Sequence, residues 1–276
     1  MSLDVTARYE ISPTPPDDLR LLRPHLEWRD LVPLRWWEKV YEFTLSAPWL
    51  IASLACYQHR WILTGALASF FFFLTSLRQS HNAQHYALGL PRLAQDFVLT
   101  VLSLLMLGSM HAVQVTHLHH HRHCLDDEDI EAGHANEKWY RVLLAGPLFP
   151  LRLHRAALRF ATPGKRAWIV AEILLVAAAT TLIAIGPVPA CLRWHAAAMI
   201  TGECFTGFFA VWTVHHGCDE HTVARTQRGW MKNFVSYSMF YHLEHHLFPA
   251  VPTSHLPELS RRLDHVAPTA AQRQVI

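Results

Sequence analysis

Four apolar stretches constrain the fold of this chain, because each approaches the ~20 residues that a membrane-spanning helix needs. They cover residues 40–57, 61–77, 167–185 and 195–214. Only residues 58–60 separate the first two stretches, and a short loop with Pro187 and Pro189 separates the last two. Each pair predicts a transmembrane hairpin. Together they predict an all-α integral membrane protein with four transmembrane helices.

The composition agrees with a membrane protein that carries a large polar part. Hydrophobic residues make up 51% of the 276 residues, and the mean hydropathy is +0.11. That value is low for a bundle confined to the bilayer and high for a soluble enzyme. The net charge of +2 does not indicate a nucleic-acid partner.

Basic residues predict the orientation, because short loops rich in Lys and Arg stay in the cytoplasm. The two hairpin loops carry only Arg60 and Arg193, whereas basic residues recur through residues 117–166 and 225–262. We therefore expect a multi-pass protein of a bacterial inner membrane with both termini and the middle segment in the cytoplasm. The polar N-terminus shows no apolar core of a cleavable signal peptide.

These spans predict one domain with five parts. They are a polar arm at 1–39, a first hairpin at 40–77, an interfacial segment at 78–166, a second hairpin at 167–214 and a cap at 215–276. Residues 93–115 are also apolar, but two crossings need about 40 residues and only 31 lie between His85 and His117. If those histidines share a site, this segment must lie along the interface or re-enter the membrane.

Histidine is unusually frequent, with 21 residues against 24 Lys and Arg together. Three clusters stand out: HNAQH at 81–85, HLHHH at 117–121 and HLEHH at 242–246. Residues three and four apart on a helix share one face, so each cluster presents two or three imidazoles toward one point. The residues concerned are His81 and His85, then His117, His120 and His121, and finally His242, His245 and His246.

Eight clustered imidazoles predict a site for two metal ions, because a tetrahedral zinc ion takes only four ligands. Imidazole suits iron, copper, zinc and nickel alike, so ligand type does not identify the metal. The five cysteines form no CxxC pair, and only Cys124 lies beside a cluster as a candidate ligand. The other histidines are predicted to be scattered (His59, His154, His195, His255, His265) or to be supporting or surface groups (His111, His119, His123, His134).

The three clusters resemble the HxxxH, HxxHH and HxxHH boxes of membrane fatty acid desaturases. The sequence FYHLEHHLFP at residues 240–249 closely resembles the third-box region of that family, and the similarity covers about residues 78–257. It implies four spans below a cytoplasmic helical cap that holds two histidine-ligated iron ions. It also implies a further ligand at the end of the last span, at His215 or His216. Adjacent helical residues point ~100° apart, and we expect His216 to face the metals.

Several carboxylates lie near the predicted spans and the histidine clusters, and the sequence allows more than one role for each. Glu203, near the middle of the last span, could line a substrate tunnel, pair with His195 or be a packing polar group. Glu172 lies nearer the predicted interface and could extend its side chain toward it. The acidic run at residues 126–131 is typical of a solvated loop, or alternatively contains a carboxylate that orients a ligand histidine.

The resemblance implies an oxidoreductase that uses O₂ to desaturate a long acyl chain held in an apolar tunnel among the spans. An unactivated C–H bond offers no acid–base route, so its cleavage needs metal and oxygen chemistry. The chain has no Rossmann, haem-attachment or cysteine-cluster motif. We therefore expect electrons from a separate ferredoxin or cytochrome with its reductase.

Related chemistries remain open at this stage. A hydroxylase, an acetylenase or a ketolase acting on a long apolar substrate would carry the same boxes. A zinc-dependent membrane hydrolase and a non-enzymatic metal-binding protein are more distant alternatives. The sequence does not distinguish a phospholipid acyl chain from an acyl thioester, and it leaves the double-bond position open.

Overall fold

The computed structural model describes residues 18–275, so the first 17 residues of the predicted polar arm lie outside the described part. Across the described residues the chain is helical and contains no β-strand, only an isolated bridge between Thr226 and Gln274. This confirms the predicted all-α class.

Thirteen α-helices, one π-helix and short 3-10 turns make up the described chain. The helices are α1 Trp36–Thr44, α2 Ala47–Gln58, α3 Ile62–Gln84, α4 Arg92–Met106, α5 Met110–Arg122, α6 Trp139–Ala145, α7 Phe149–Phe160, α8 Pro163–Ile185, α9 Ala190–Thr206, α10 Thr213–His215, α11 Trp230–Val235, α12 His242–Leu247 and α13 Leu256–Val266. The π-helix Gly207–Trp212 joins α9 to α10.

Three helices in the described chain are long and apolar enough to cross a membrane. They are α3, α8 and the continuous segment Ala190–His215, which comprises α9, the π-helix and α10. A fourth crossing arises only if α4 and α5, which meet at a bend of 113°, are counted as one broken span. The chain is thus a multi-pass helical membrane protein with three or four apolar segments.

The first predicted span, residues 40–57, is not a single helix. Helix α1 ends at Thr44, and α2 begins at Ala47 with Pro48 in its first turn. The 12 residues of α2 extend about 18 Å, which is short of the ~30 Å hydrocarbon core. The predicted arrangement of four spans is therefore not reproduced at this position.

Helix α3 ends seven residues beyond the predicted limit at residue 77. Its extra turns are polar, and residues of α1 and of the link to α2 form hydrogen bonds with their side chains. Ser46 donates a 2.6 Å hydrogen bond to Gln79, and Asn82 donates a 3.0 Å hydrogen bond to Glu42. These buried contacts stabilise the polar end of α3, so the first histidine cluster lies on the same helix that forms the span.

The apolar segment 93–115 turns sharply where α4 meets α5. Leu107 adopts a left-handed conformation with a φ of 63°, and Ser109 then caps the first turn of α5. The segment therefore does not cross as one straight helix. The rings of His85 and His117, which precede and follow it, lie 5.0 Å apart, so the condition for an interfacial or re-entrant segment is met.

The C-terminal residues form short helices around the third cluster. Helices α12 and α13 pack with the 3-10 helix Leu19–His25 in one apolar core, which includes Leu243, Leu247, Phe248, Leu259 and Leu263. Glu244 is fully buried and accepts 2.6 Å hydrogen bonds from Thr226 and Arg228. Burial raises the pKa of the Glu244 carboxyl despite the neighbouring guanidinium. These bonds fix the orientation of α12.

Candidate metal centre

One group of imidazoles combines all three sequence clusters. Its members are His81, His85, His117, His121 and His245, and one ligand nitrogen of each lies within 4.8 Å of those of the others. The Nε2 atom of His121 lies 3.0 Å from that of His245 and 3.2 Å from that of His117. Five nitrogen donors from the end of α3, from α5 and from α12 therefore surround one point.

A second group lies directly beside the first. It contains ligand atoms of His120, His215, His246 and Cys124 within 4.8 Å of one another. His242 extends the group, since its Nε2 atom lies 3.1 Å from that of His215 and 3.2 Å from that of His246. The rings of His121 and His246 stack at a centroid distance of 4.3 Å. The two groups therefore adjoin, as a centre for two metal ions requires.

Two carboxylates of the acidic run hold histidines of these groups. Asp129 Oδ2 lies 2.8 Å from His120 Nδ1, and Glu131 Oε1 lies 3.1 Å from His117 Nδ1. Burial opposes ionisation of Asp129, but hydrogen bonds from His120 and from two backbone N–H groups outweigh it and keep its pKa below the usual range. The ionised carboxylate accepts a hydrogen bond from the Nδ1–H group, and in this tautomer the Nε2 lone pair faces the centre.

The set of donors fits metal ions. The Nε2 atoms of His81 and His85 are buried without a hydrogen-bond partner among the described residues. The Nε2 atoms of His120 and His246 face each other at 3.3 Å. Buried polar atoms without partners are unfavourable, and so are lone pairs directed at each other. Cations between these nitrogens would satisfy them, and imidazole is a common ligand of transition metals.

The structure places His215 in the centre, where the sequence favoured His216. His215 is the last residue of α10, and its Nδ1 donates to the Val223 carbonyl at 2.9 Å. The ring of His216 stacks on Trp212 at 4.3 Å, and its Nδ1 lies 3.3 Å from the Ala135 carbonyl. The wider turns of the π-helix change the direction of the residues that follow. The choice of His216 therefore does not agree with the observed geometry.

Cys124 lies beside the second group, but its environment favours a thiol. Its Sγ atom lies 3.6 Å from the Val223 carbonyl, and burial raises the pKa of the thiol. Metal ligation needs the thiolate. The imidazoles around it need no such ionisation, and we regard Cys124 as a packing residue at the edge of the group.

His195 and Glu172, which lie outside the centre, have hydrogen-bond partners inside the protein. His195 donates to a backbone carbonyl 2.8 Å away, so the suggested pairing with Glu203 is not found. Glu203 instead lies against Gly108, at the bend between α4 and α5. Glu172 does not reach toward the interface but bonds His111 Nδ1 at 2.5 Å inside the protein.

The sequence allowed a carboxylate of the acidic run to orient a ligand histidine, but it offered no reason to choose Asp129 and Glu131 within that run. Their spacing of two residues places both on one side of a turn, and the backbone N–H of Glu131 donates to Asp129 at 3.1 Å. This turn aims both carboxylates at α5. The proximity of the run to the second box was the available signal.

Comparison with known proteins gives the family of the chain. No curated protein matches it. The family model described as "Fatty acid desaturase" matches residues 58–275, which is most of the sequence and contains every residue of the centre described above. The chain therefore belongs to the fatty acid desaturase family.

Proposed function

We propose that the protein catalyses the O₂-dependent desaturation of a fatty acyl chain at a histidine-ligated centre of two iron ions. The observation that carries the proposal is the convergence of nine imidazoles in two adjoining groups. Family membership supports the acyl substrate and the oxidoreductase chemistry. Iron supplies the redox chemistry with O₂ that an unactivated C–H bond requires.

We assign the eight box histidines and His215 to hold the ions. The first group would hold one ion and the second group the other. Asp129 and Glu131 orient His120 and His117 and keep their Nδ1 atoms protonated. Most of these side chains are buried, which keeps bulk water from the centre and fixes its geometry.

The overall reaction removes two hydrogens from adjacent carbons of the acyl chain and reduces O₂ to two molecules of water. The balance needs two electrons and two protons in addition to those from the substrate. We propose that a separate ferredoxin or cytochrome with its reductase delivers the electrons. A bacterial inner membrane with both termini in the cytoplasm is consistent with that route.

Expression in a bacterial host with a ferredoxin and its reductase, followed by mass spectrometry of total lipids, tests this function. We expect acyl chains that have lost two hydrogens. A His245→Ala variant should form none, whereas His265→Ala, at an exposed position of α13, should retain the activity. Products that gain an oxygen would identify a hydroxylase or ketolase. A purified protein that binds one zinc ion and no iron would refute the proposal.

A further inference from the structure

Helix α5 carries histidines on two opposite faces. At ~100° per residue, His119 of α5 and His123, which directly follows the last residue of that helix, lie roughly opposite to His117 and His121, so they cannot contribute to the centre. Their own rings lie 4.4 Å apart at the centroids. The Nε2 atom of His119 is buried and has no hydrogen-bond partner in the described part of the chain. The histidines of residues 117–123 therefore fall into two sets on opposite sides of the chain, and only one set belongs to the second box.

The acidic run brings a carboxylate to this second face. Glu128 Oε2 lies 3.6 Å from His123 Nδ1, and Asp126 Oδ2 lies 3.1 Å from the same nitrogen. One ligand atom each of His119, His123 and Glu128 lie within 4.8 Å of one another. Two imidazoles four residues apart with one carboxylate form a donor set that zinc binds readily.

We propose that His119, His123 and Glu128 form a binding site for a divalent cation of the zinc type, separate from the centre of the nine histidines. Ligand atoms around a tetrahedral zinc ion lie ~3.4 Å apart, so a small contraction of this group suffices. The Glu128 side chain is 72% exposed and is free to approach the histidines. Three protein ligands leave a fourth position for water, which makes the bound ion exchangeable.

A cation at this site would connect the end of α5 to the loop that follows it. That loop carries Asp129 and Glu131, which hold His120 and His117 on the opposite face of the helix. Occupancy would thus restrict the motion of both carboxylates. A bound divalent cation would thereby make the loop more ordered. The existence of this site does not depend on the reaction at the main centre.

Zinc binding to the full chain in detergent, after saturation with ferrous iron under anaerobic conditions, tests this site. Equilibrium dialysis against buffered Zn²⁺, with both metals quantified by mass spectrometry, should show one zinc ion per chain without loss of iron. We expect His123→Ala and Glu128→Gln each to weaken this binding at least tenfold. His134→Ala is the matched control, because His134 pairs with Glu137 in the same part of the chain but lies outside the group.

Hydrogen exchange provides a second measurement that does not depend on activity. Zinc should slow hydrogen exchange at the backbone amides of residues 124–131 in the wild-type chain. In Glu128→Gln the exchange rates of these amides should not change when zinc is added. Three results would overturn the proposal: no zinc uptake by the iron-loaded chain, uptake that only displaces iron, or equal affinity in the wild type and both variants.

Discussion

At the scale of single residues, Asp129 has the clearest testable role. It bonds His120 Nδ1 at 2.8 Å and accepts backbone hydrogen bonds at Leu125 and Ala132. Asp129→Asn removes the charge that fixes the His120 tautomer, and loss of such a partner typically costs ~10–100-fold in metal affinity. We expect iron retention after dialysis to fall accordingly in Asp129→Asn. The exposed Asp127, changed to Asn, is the control and should retain iron like the wild type.

His215 and His216 give a second test at this scale. His215→Ala removes an imidazole from the second group and should lower the iron content from two ions toward one. His216→Ala removes a ring that stacks on Trp212 and should leave the iron content unchanged. Iron measured per folded chain by mass spectrometry distinguishes the two variants. The reverse pattern would restore the sequence-based choice of His216.

The eight box histidines were predictable because their spacing alone puts them on helical faces. The sequence offered both His215 and His216 and favoured His216; the position of His215 beside the second group could not be foreseen, because a π-helix just before it alters the register and no residue type indicates such a helix. The carboxylate partners were equally hidden. Asp129 and Glu131 stand in a run of acidic residues, and only the turn of the backbone separates them from Asp126 and Asp127.

At the scale of helices, hydropathy located α8 and α9 well but failed at the first stretch. Residues 40–57 are apolar as a whole, yet two short helices form there, with a break before Pro48. The extension of α3 was also missed, because buried partners such as Glu42 satisfy its polar residues. Hydropathy measures composition along the chain and contains no information on such pairings.

Glu172 of α8 is hydrogen-bonded to the residues that follow the bend between α4 and α5. Its carboxylate accepts hydrogen bonds from the Ser109 hydroxyl at 2.6 Å and from the backbone N–H of His111 at 3.2 Å, and it bonds the His111 ring. Glu172→Ala leaves these buried donors without a partner, which costs about 1–3 kcal/mol for each. We expect a clearly lower unfolding temperature in detergent for this variant.

The matched control for Glu172→Ala is Glu258→Ala. Glu258 pairs with Arg261 and Arg262 near the surface of α13, where an ion pair contributes about 1 kcal/mol or less. Its unfolding temperature should stay near that of the wild type. Equal stability of Glu172→Ala and Glu258→Ala would show that the bend does not depend on the buried carboxylate.

At the scale of the whole molecule, the metal centre joins parts of the chain that are distant in sequence. Box one lies at the end of α3, box two lies on α5 after the bend, and box three lies on α12. Ions bound between them would cross-link these parts in the folded state only, and such binding stabilises by mass action. The family and the convergence of the three boxes could therefore be predicted from the sequence, whereas the path of the chain between the boxes could not.

The metal-free protein should lose stability in weak acid. Burial, followed by the neighbouring histidines, holds the pKa values of His242, His245 and His246 well below the usual value. In the unfolded chain these groups take up protons below about pH 6.5, whereas in the folded chain they stay neutral. The unfolded state then binds more protons, so the free energy of unfolding falls as the pH drops through this range.

Thermal unfolding of the chelated protein between pH 8 and pH 5 measures this effect. Each histidine kept neutral contributes a slope of up to about 1.4 kcal/mol per pH unit, so replacing one of them should flatten the curve below pH 6.5. We expect His245→Ala to show that flatter curve and His265→Ala, whose ring is exposed, to follow the wild type. Identical curves for all three proteins would mean that the buried imidazoles are already protonated or that the centre opens before the fold does.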